Sequence, residues 1–472
     1  MNDTEMRRVL SRGCAWWRDP AGWEATDPDL TRIRGARLRY QPGSLDRIAP
    51  DGLYVLRGPR RVGKTVNIKL TIAKLIREQV NPRRILHYAC DGLAPRELLQ
   101  LVRVGRDQAT AGISEPRYWF LDEITAVSGW ATQLKWLRDN TDLRHDCVVL
   151  TGSSARDLIE SLDQLAGRRG AASHPDRLLL PISFRTFCQQ FQDGLPDPAP
   201  VRPQDLLLPT TDRVVAELEP WLDQLASLWE VYCQCGGFPE AVESQLVRSS
   251  IDEQTTNAAW GVVISAVNRS QLSDTQTLTL LHELSKRLSS RLNLSDLARD
   301  LHASDQKFVD RRLQDLTDNY LVWPCYQRGN NNLPLLRSQT KYYFTDPLFA
   351  HLASLRSNGI LSPPDTSHLT EQQLGLHLIR AVADADPTTY ADYAQVMYLV
   401  TATRKEVDFV GPALGSLGLE SKYTDSGLES ESVTLRAAVG QGVMASRATL
   451  GRSDKPSIAF LPASFIAFLL AS

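Results

Sequence analysis

The residues most able to do chemistry stand together at Gly58-Pro59-Arg60-Arg61-Val62-Gly63-Lys64-Thr65. This is the spacing G-x-x-x-x-G-K-T. Two glycines let the backbone curl so that successive N–H groups point at a β-phosphate. Lys64 is placed to reach the β- and γ-phosphates as a mobile point charge, and the Thr65 hydroxyl to ligate magnesium. The ligand expected is therefore ATP, or a similar nucleoside triphosphate, with Mg2+. Gly58 through Val66 form the expected phosphate cradle.

Two further constellations fit phosphoryl transfer. Asp122-Glu123 closes the apolar run Tyr118-Trp119-Phe120-Leu121. In such a pair the first carboxylate holds magnesium together with Thr65, and the second polarises the attacking water. Ser153 and Ser154 follow Cys147-Val148-Val149-Leu150-Thr151-Gly152. They are candidate γ-phosphate sensors, or simply a helix N-cap. Arg168 and Arg169 could supply transition-state charge, in cis or from a neighbouring copy, or could be solvated in a turn.

A third set lies far downstream. Asp408 lies in the strand-like Glu406-Val407-Asp408-Phe409-Val410, and Gly418-Leu419-Glu420-Ser421-Lys422-Tyr423 starts or spans the next strand. Side chains alternate along a strand, so Glu420 and Lys422 share a face. Asp408 and Glu420 could bind magnesium, and Lys422 could orient water or stabilise phosphorane charge. This D…E-x-K spacing resembles the restriction-endonuclease-like PD-(D/E)xK fold. Its usual Pro-Asp dipeptide is missing, since Val407 precedes Asp408. Glu371, on an expected helix over 370–385, could complete the site from upstream, as in similar nucleases.

These residues need elements to hold them. Gly52–Arg57 reads as a short buried strand before the phosphate loop, and Val66–Gln79 as a helix after it. This puts the phosphates on a helix N-terminus. Apolar runs at 85–90, 118–123 and 147–154 alternate with helical stretches, which predicts βαβ units and a parallel sheet. Ligands then collect at the carboxyl ends of the strands.

Residues 51–190 form the expected ATPase domain, preceded by an N-terminal extension over 1–50 rich in Trp and Arg. A helical lid or linker spans 191–290. Residues 291–350 predict a winged helix-turn-helix: helices at Leu294–Leu301 and Gln306–Asn319, then strands near 321–326 and 341–344 as a wing. Its second helix should expose Gln306, Lys307, Asp310, Arg311, Arg312 and Gln314, making DNA a candidate partner in the major groove. Residues 351–472 are the expected nuclease-like domain. The fold class is thus α/β: a P-loop NTPase domain with a parallel sheet, a helical region with a winged helix, and a C-terminal restriction-endonuclease-like α/β domain.

The phosphate loop, Trp119–Glu123, Leu150–Ser154, Leu180-Pro181-Ile182-Ser183-Phe184-Arg185-Thr186-Phe187 and Gly236-Gly237-Phe238-Pro239-Glu240-Ala241 together resemble the prokaryotic AAA-like (AAA_14) ATPases with a C-terminal DUF4143 domain. Ile182 stands where the first of these last two signatures usually carries leucine. The resemblance covers about residues 45 to 470. It implies a nucleotide switch or motor more strongly than any substrate. A homo-oligomer or a protein partner stays open.

Bulk properties narrow the class. The 472 residues carry a net charge of −2, which does not suggest a uniformly basic nucleic-acid binder. There is no apolar run of about 18 residues to cross a membrane. The start has no signal-peptide core. Seven scattered cysteines without C-x-x-C fit a reduced protein, so a cytoplasmic location is expected.

Overall fold

The computed structural model describes residues 1–109, 115–152, 158, 163–267, 273–303, 305–335, 338–385, 394–453 and 457–470. The chain divides into two compact units, Met1–Leu179 and Leu180–Ser472. The expected segments distribute between them. The extension and the ATPase segment up to Leu179 make the first unit, and everything from Leu180 onward makes the second.

The first unit is built on a five-stranded sheet of order β2-β3-β4-β1-β5, formed by β1 (Leu53–Arg57), β2 (Ile85–Ala89), β3 (Tyr118–Asp122), β4 (Cys147–Thr151) and β5 (Asp176–Leu178). Every pairing is parallel. Strands covered on both faces need continuous apolar sequence, and β1, β3 and β4 are buried at every position. Helices Lys64–Arg77, Glu97–Gln108 and Trp130–Asn140 make the crossovers between successive strands. The register sets Leu56 beside Thr151 and Leu121 beside Leu150. The carboxyl ends of β1, β3 and β4 are therefore level, and their terminal side chains share one edge.

The apolar residues of the first fifty, among them Met6, Leu10, Trp16, Trp17, Trp23 and Leu30, pack into this unit's core. Met6 and Leu10 of helix Asp3–Gly13 are buried. The indole N–H groups of Trp16 and Trp17 both donate to the Ile85 carbonyl at 2.9 Å. Trp16 also meets Trp23 edge-on at 5.0 Å. Aromatic packing accounts for the tryptophans, while arginines such as Arg7, Arg8, Arg12 and Arg32 are exposed.

The second unit opens with helices, among them Phe184–Phe191, Leu222–Cys235 and Pro239–Arg248. Helix Leu294–Asp300 and helix Gln306–Asp318 then precede an antiparallel ribbon, β6 (Val322–Cys325) with β7 (Lys341–Phe344). Helix Thr366–Ala385 leads into a six-stranded sheet of order β12-β13-β11-β10-β9-β8. Its strands are β8 (Met397–Val400), β9 (Glu406–Val410), β10 (Gly418–Ser421), β11 (Gly442–Ser446), β12 (Gly451–Arg452) and β13 (Ile458–Pro462). β10, β11 and β13 run parallel, with helix Leu428–Val439 as the β10–β11 crossover, whereas β8, β9 and β12 are antiparallel to their neighbours. Among the described residues no helix is long and apolar enough to cross a membrane. All seven cysteines are buried and free.

Candidate functional site

The phosphate loop connects β1 to helix Lys64–Arg77. Gly58 has φ +142°, and a Cβ there would lie 2.1 Å from the Leu179 carbonyl oxygen, so only glycine fits. Gly63, at φ +107°, is the N-cap residue, a left-handed position that glycine tolerates best. The first-turn N–H groups of the helix are thereby left without side-chain caps and face the loop. Lys64 is buried, and its ammonium donates to the Gly58 and Pro59 carbonyls, each at 2.9 Å. Burial pulls its pKa down to about 8, against the opposing pull of Glu123 and Asp122. Val62 and Val66 are buried beneath the loop, while Arg60 and Arg61 lie on its outer side.

Asp122, at the end of β3, is held by two hydroxyls. Thr65 donates to its Oδ2 at 2.7 Å, and Thr151, at the end of β4, donates to its Oδ1. Thr151 Oγ1 also accepts the Glu123 backbone N–H at 3.0 Å. Glu123 itself sits at φ +52°, a left-handed conformation uncommon for a non-glycine residue. The role of Thr151 was not visible in the sequence, because it depends on β4 lying between β3 and β1. Ser153 and Ser154 fall outside the described residues.

Arg168 does not join this cluster within the chain. Its guanidinium pairs with Asp139 at 2.8 and 2.9 Å. The next residue, Arg169, accepts the Leu53 N–H on its carbonyl and pairs with Asp176. Leu53 starts β1, and the phosphate loop follows its other end. The pair of arginines therefore lies at the amino edge of the sheet, because β5 runs parallel to β1 and must be entered from that side.

In the second unit, Glu371 from helix Thr366–Ala385, Asp408 from β9 and Glu420 and Lys422 from β10 and its end line one pocket of about 630 Å3, with Glu406 and Glu431. Antiparallel pairing of Phe409 with Leu419 sets Asp408 across from Glu420. The Asp408 N–H donates to Glu420 Oε2 at 3.2 Å, and the Ser421 N–H donates to Asp408 Oδ2 at 2.9 Å. Lys422 Nζ lies 3.2 Å from Glu420 Oε1. Burial, then the Asp408 charge, pushes Glu420 up to about 8 and Glu371 up to about 7. Burial opposes the charged form of Lys422, but Glu420 and Asp408 outweigh it and raise its pKa.

Two residues of this pocket's surroundings were missed. Lys341 and Tyr343, on one face of β7, both reach Glu371. A lysine alternating with buried aromatics in Lys341-Tyr342-Tyr343-Phe344 was the available signal, since a buried ammonium requires a partner. Among the described residues no group of three or more His, Cys, Asp and Glu side chains is arranged to hold a metal ion.

On helix Gln306–Asp318, Gln306, Lys307, Asp310, Arg311 and Gln314 are exposed. Arg312 is not. It is half-buried over the Phe308 ring at 4.6 Å and pairs with Asp315 at 2.9 Å. The exposed face is thus less basic than its sequence suggested.

Residues 51–188 match the AAA_14 family, described as an AAA domain. Residues 226–358 match a domain of unknown function, DUF8612. The expected DUF4143 assignment is corrected accordingly, and the matched segment ends before Glu371, Asp408 and Glu420. No curated protein matches the chain. Similar solved structures include the Walker-type ATPase PABY2304 of Pyrococcus abyssi, at 15% identity, TM-score 0.39, over 64% of this chain and 90% of that one. The Aeropyrum pernix ORC2 protein in ADPNP–ADP complexes is 12% identical, with TM-score 0.32 over 70% and 95%. The Thermotoga maritima RuvB Holliday junction branch migration motor is 12% identical, with TM-score 0.28 over 58% and 81%.

Proposed function

We propose that the first unit binds ATP with magnesium and hydrolyses it, as a switch or motor. The observation that carries this reading is Asp122 gripped by the Thr65 and Thr151 hydroxyls, beside a loop whose buried Lys64 is folded onto its own carbonyls. Backbone N–H groups of the Gly58–Val66 loop, in which Pro59 alone has none to give, cradle the phosphates. Lys64 exchanges the Gly58 and Pro59 carbonyls for phosphate oxygens, and an anion there restores the charge that burial disfavours. The hydroxyl of Thr65 and the carboxylate of Asp122 are hard oxygen donors suited to magnesium. Bound there, the metal would neutralise charge on the transferring phosphoryl group. Glu123 orients the attacking water, with Ser153 as γ-phosphate sensor. Arg168 contributes only from a neighbouring copy, which makes a homo-oligomer the form in which it would act.

For the second unit we infer a nucleic-acid partner, engaged by a winged helix-turn-helix over 291–350 and a restriction-endonuclease-like domain. Asp408 opposite Glu420, with Lys422 on the same face, supports magnesium-dependent phosphodiester chemistry. A second reading makes this domain an inert scaffold in a nucleotide-gated interaction protein. It is favoured by the lysine already seated among the acids.

The test is ATP turnover and fluorescent-nucleotide binding, with and without duplex DNA. Lys64→Ala should lose both binding and turnover, and Glu123→Gln turnover alone. Turnover that survives Lys64→Ala sinks the ATPase reading. Magnesium-dependent nicking lost in Lys422→Ala supports the nuclease reading, whereas no DNA binding at low salt leaves the scaffold.

A further inference from the structure

Lys341 has no part in the chemistry proposed above, yet it occupies the centre of the carboxylate cluster. It is fully buried. Its Nζ lies 2.8 Å from Glu371 Oε1, 2.5 Å from Glu406 Oε1 and 3.4 Å from Asp408 Oδ1. An ammonium has three donors, and three carboxylates take them. The Tyr398 ring lies 5.6 Å from the same nitrogen. Tyr343 donates its hydroxyl to the same Glu371 oxygen.

Asp408 divides the acids into two sides. Its Oδ1 faces Lys341, while its Oδ2 accepts the Ser421 N–H next to Glu420 and Lys422. Paired metals in phosphodiester-cleaving sites stand about 3.5–4 Å apart, so Asp408, with one oxygen on each side, would have to serve both. Lys341 Nζ holds one arm of the carboxylate that would have to bridge. A magnesium ion in the place of this ammonium would need its oxygens at about 2.0–2.1 Å, whereas Glu371, Glu406 and Asp408 stand 2.8, 2.5 and 3.4 Å from the nitrogen. A second divalent ion beside a buried ammonium would also meet direct charge repulsion.

We propose that Lys341 is the resident cation on the Glu371–Glu406 side and restricts the pocket to one divalent cation, on the Asp408–Glu420 side. The inference rests on reading Asp408 and Glu420 as cation ligands. It makes the site a one-metal centre in which β7 supplies the second positive charge as a fixed ammonium.

The experiment counts bound Mn2+ by equilibrium dialysis and electron paramagnetic resonance. It uses the full chain without nucleotide, in an Asp122→Asn background that removes the phosphate-loop ligand. One Mn2+ per chain is expected, falling to none with Glu420→Gln. Lys341→Met should raise the count to two. That change leaves three buried carboxylates unbalanced, so Lys341→Met combined with Glu406→Gln, which keeps the local charge unchanged, provides a second route to the same count. Two ions in the Lys341 protein, or one there and still only one in either folded Lys341 variant, overturns the proposal. None in the Lys341 protein but one in Lys341→Met defeats the Asp408–Glu420 reading and leaves the exclusion by Lys341 standing. None in any of them overturns both.

Discussion

Thr151→Val removes one hydroxyl and nothing else of comparable size, at a residue that is completely buried. The lost hydroxyl donates to Asp122 and accepts the Glu123 N–H. A hydrogen bond to a charged group is worth about 1.5–3 kcal/mol. If Asp122 must be held in one orientation through the transition state, that energy appears in turnover, a slowing of about 10- to 150-fold. ATP affinity should change much less, since the loop and Lys64 are untouched. The freed Glu123 N–H adds a separate cost to folding, of about 1–3 kcal/mol, so the melting temperature of the first unit should fall as well. The assay is steady-state ATP turnover with a coupled phosphate readout, paired with nucleotide binding by fluorescence. Thr151→Ser keeps the hydroxyl and should recover most of the rate. A folded Thr151→Val protein turning over within about threefold of the parent, a difference under 1 kcal/mol, would refute the claim that this bond positions Asp122.

Gly236→Ala would place a Cβ 1.8 Å from Asp346 Oδ1 at a residue with φ +75°. Overpacking and backbone strain together should cost the second unit roughly 2–6 kcal/mol in chemical denaturation, and an unchanged midpoint would contradict the packing described. Burial pushes Asp346 up to about 7, despite the Gly237 and Leu348 N–H groups that favour its anion. A carboxyl whose folded pKa is raised contributes stability that is complete below its unfolded pKa near 4 and is lost as pH rises through 7. Denaturation of the second unit followed across that window should show this decline, and Asp346→Asn should flatten it. Arg168→Ala should leave the turnover of dilute protein unchanged. A loss seen only as protein concentration rises would assign it to a neighbouring copy's site. If helix Gln306–Asp318 meets DNA, Lys307→Ala with Arg311→Ala should reduce the salt slope of binding by about 2, and an unchanged slope excludes that face.

What could be read in the sequence was what consecutive residues decide. The phosphate loop is one uninterrupted string, and its conformation follows from where its glycines fall. Asp122 and Glu123 were visible because an apolar strand ends on them, and Glu420 and Lys422 because alternation puts them on one face. Thr151 and Lys341 were not visible in their roles, since both act across elements. Thr151 matters only because β4 lies between β3 and β1, and sheet order is not written in any local pattern. Lys341 acts on acids from a helix and a strand that follow it in the chain. Arg168 shows the opposite case, since of the roles open to it the one within its own chain is not met. Its position after β4 made it look like a partner of the phosphates, but a strand that joins β1 in parallel begins at the edge away from them. β5 itself, three half-buried residues, carried no periodicity to announce it.

Two of the signatures behind the family resemblance, 180–187 and 236–241, turn out to be one packed structure. Ile182 donates its N–H to the Gly237 carbonyl at 2.7 Å, and a Cβ on Gly237 would lie 2.1 Å from the Ile182 carbonyl oxygen. That same oxygen accepts the Tyr232 hydroxyl at 2.8 Å, and Arg380 donates to the Pro181 carbonyl. Asp346 completes the arrangement by accepting the Gly237 N–H at 2.7 Å and the Leu348 N–H at 2.9 Å. Phe184 packs edge-on against Trp229 and Tyr232 at 4.9 and 5.5 Å, with His377 accepting its N–H. Glycine is required twice because two backbones and a buried carboxylate meet where any side chain would intrude. Apart from the buried Nε of Arg380, the groups named in this knot are engaged with one another. Such signatures therefore report how the second unit is held at its beginning, and they say nothing of what it binds. The chemistry of the chain has to be sought in the two carboxylate sites, and there the decisive residues, Thr151 and Lys341, lie outside every motif.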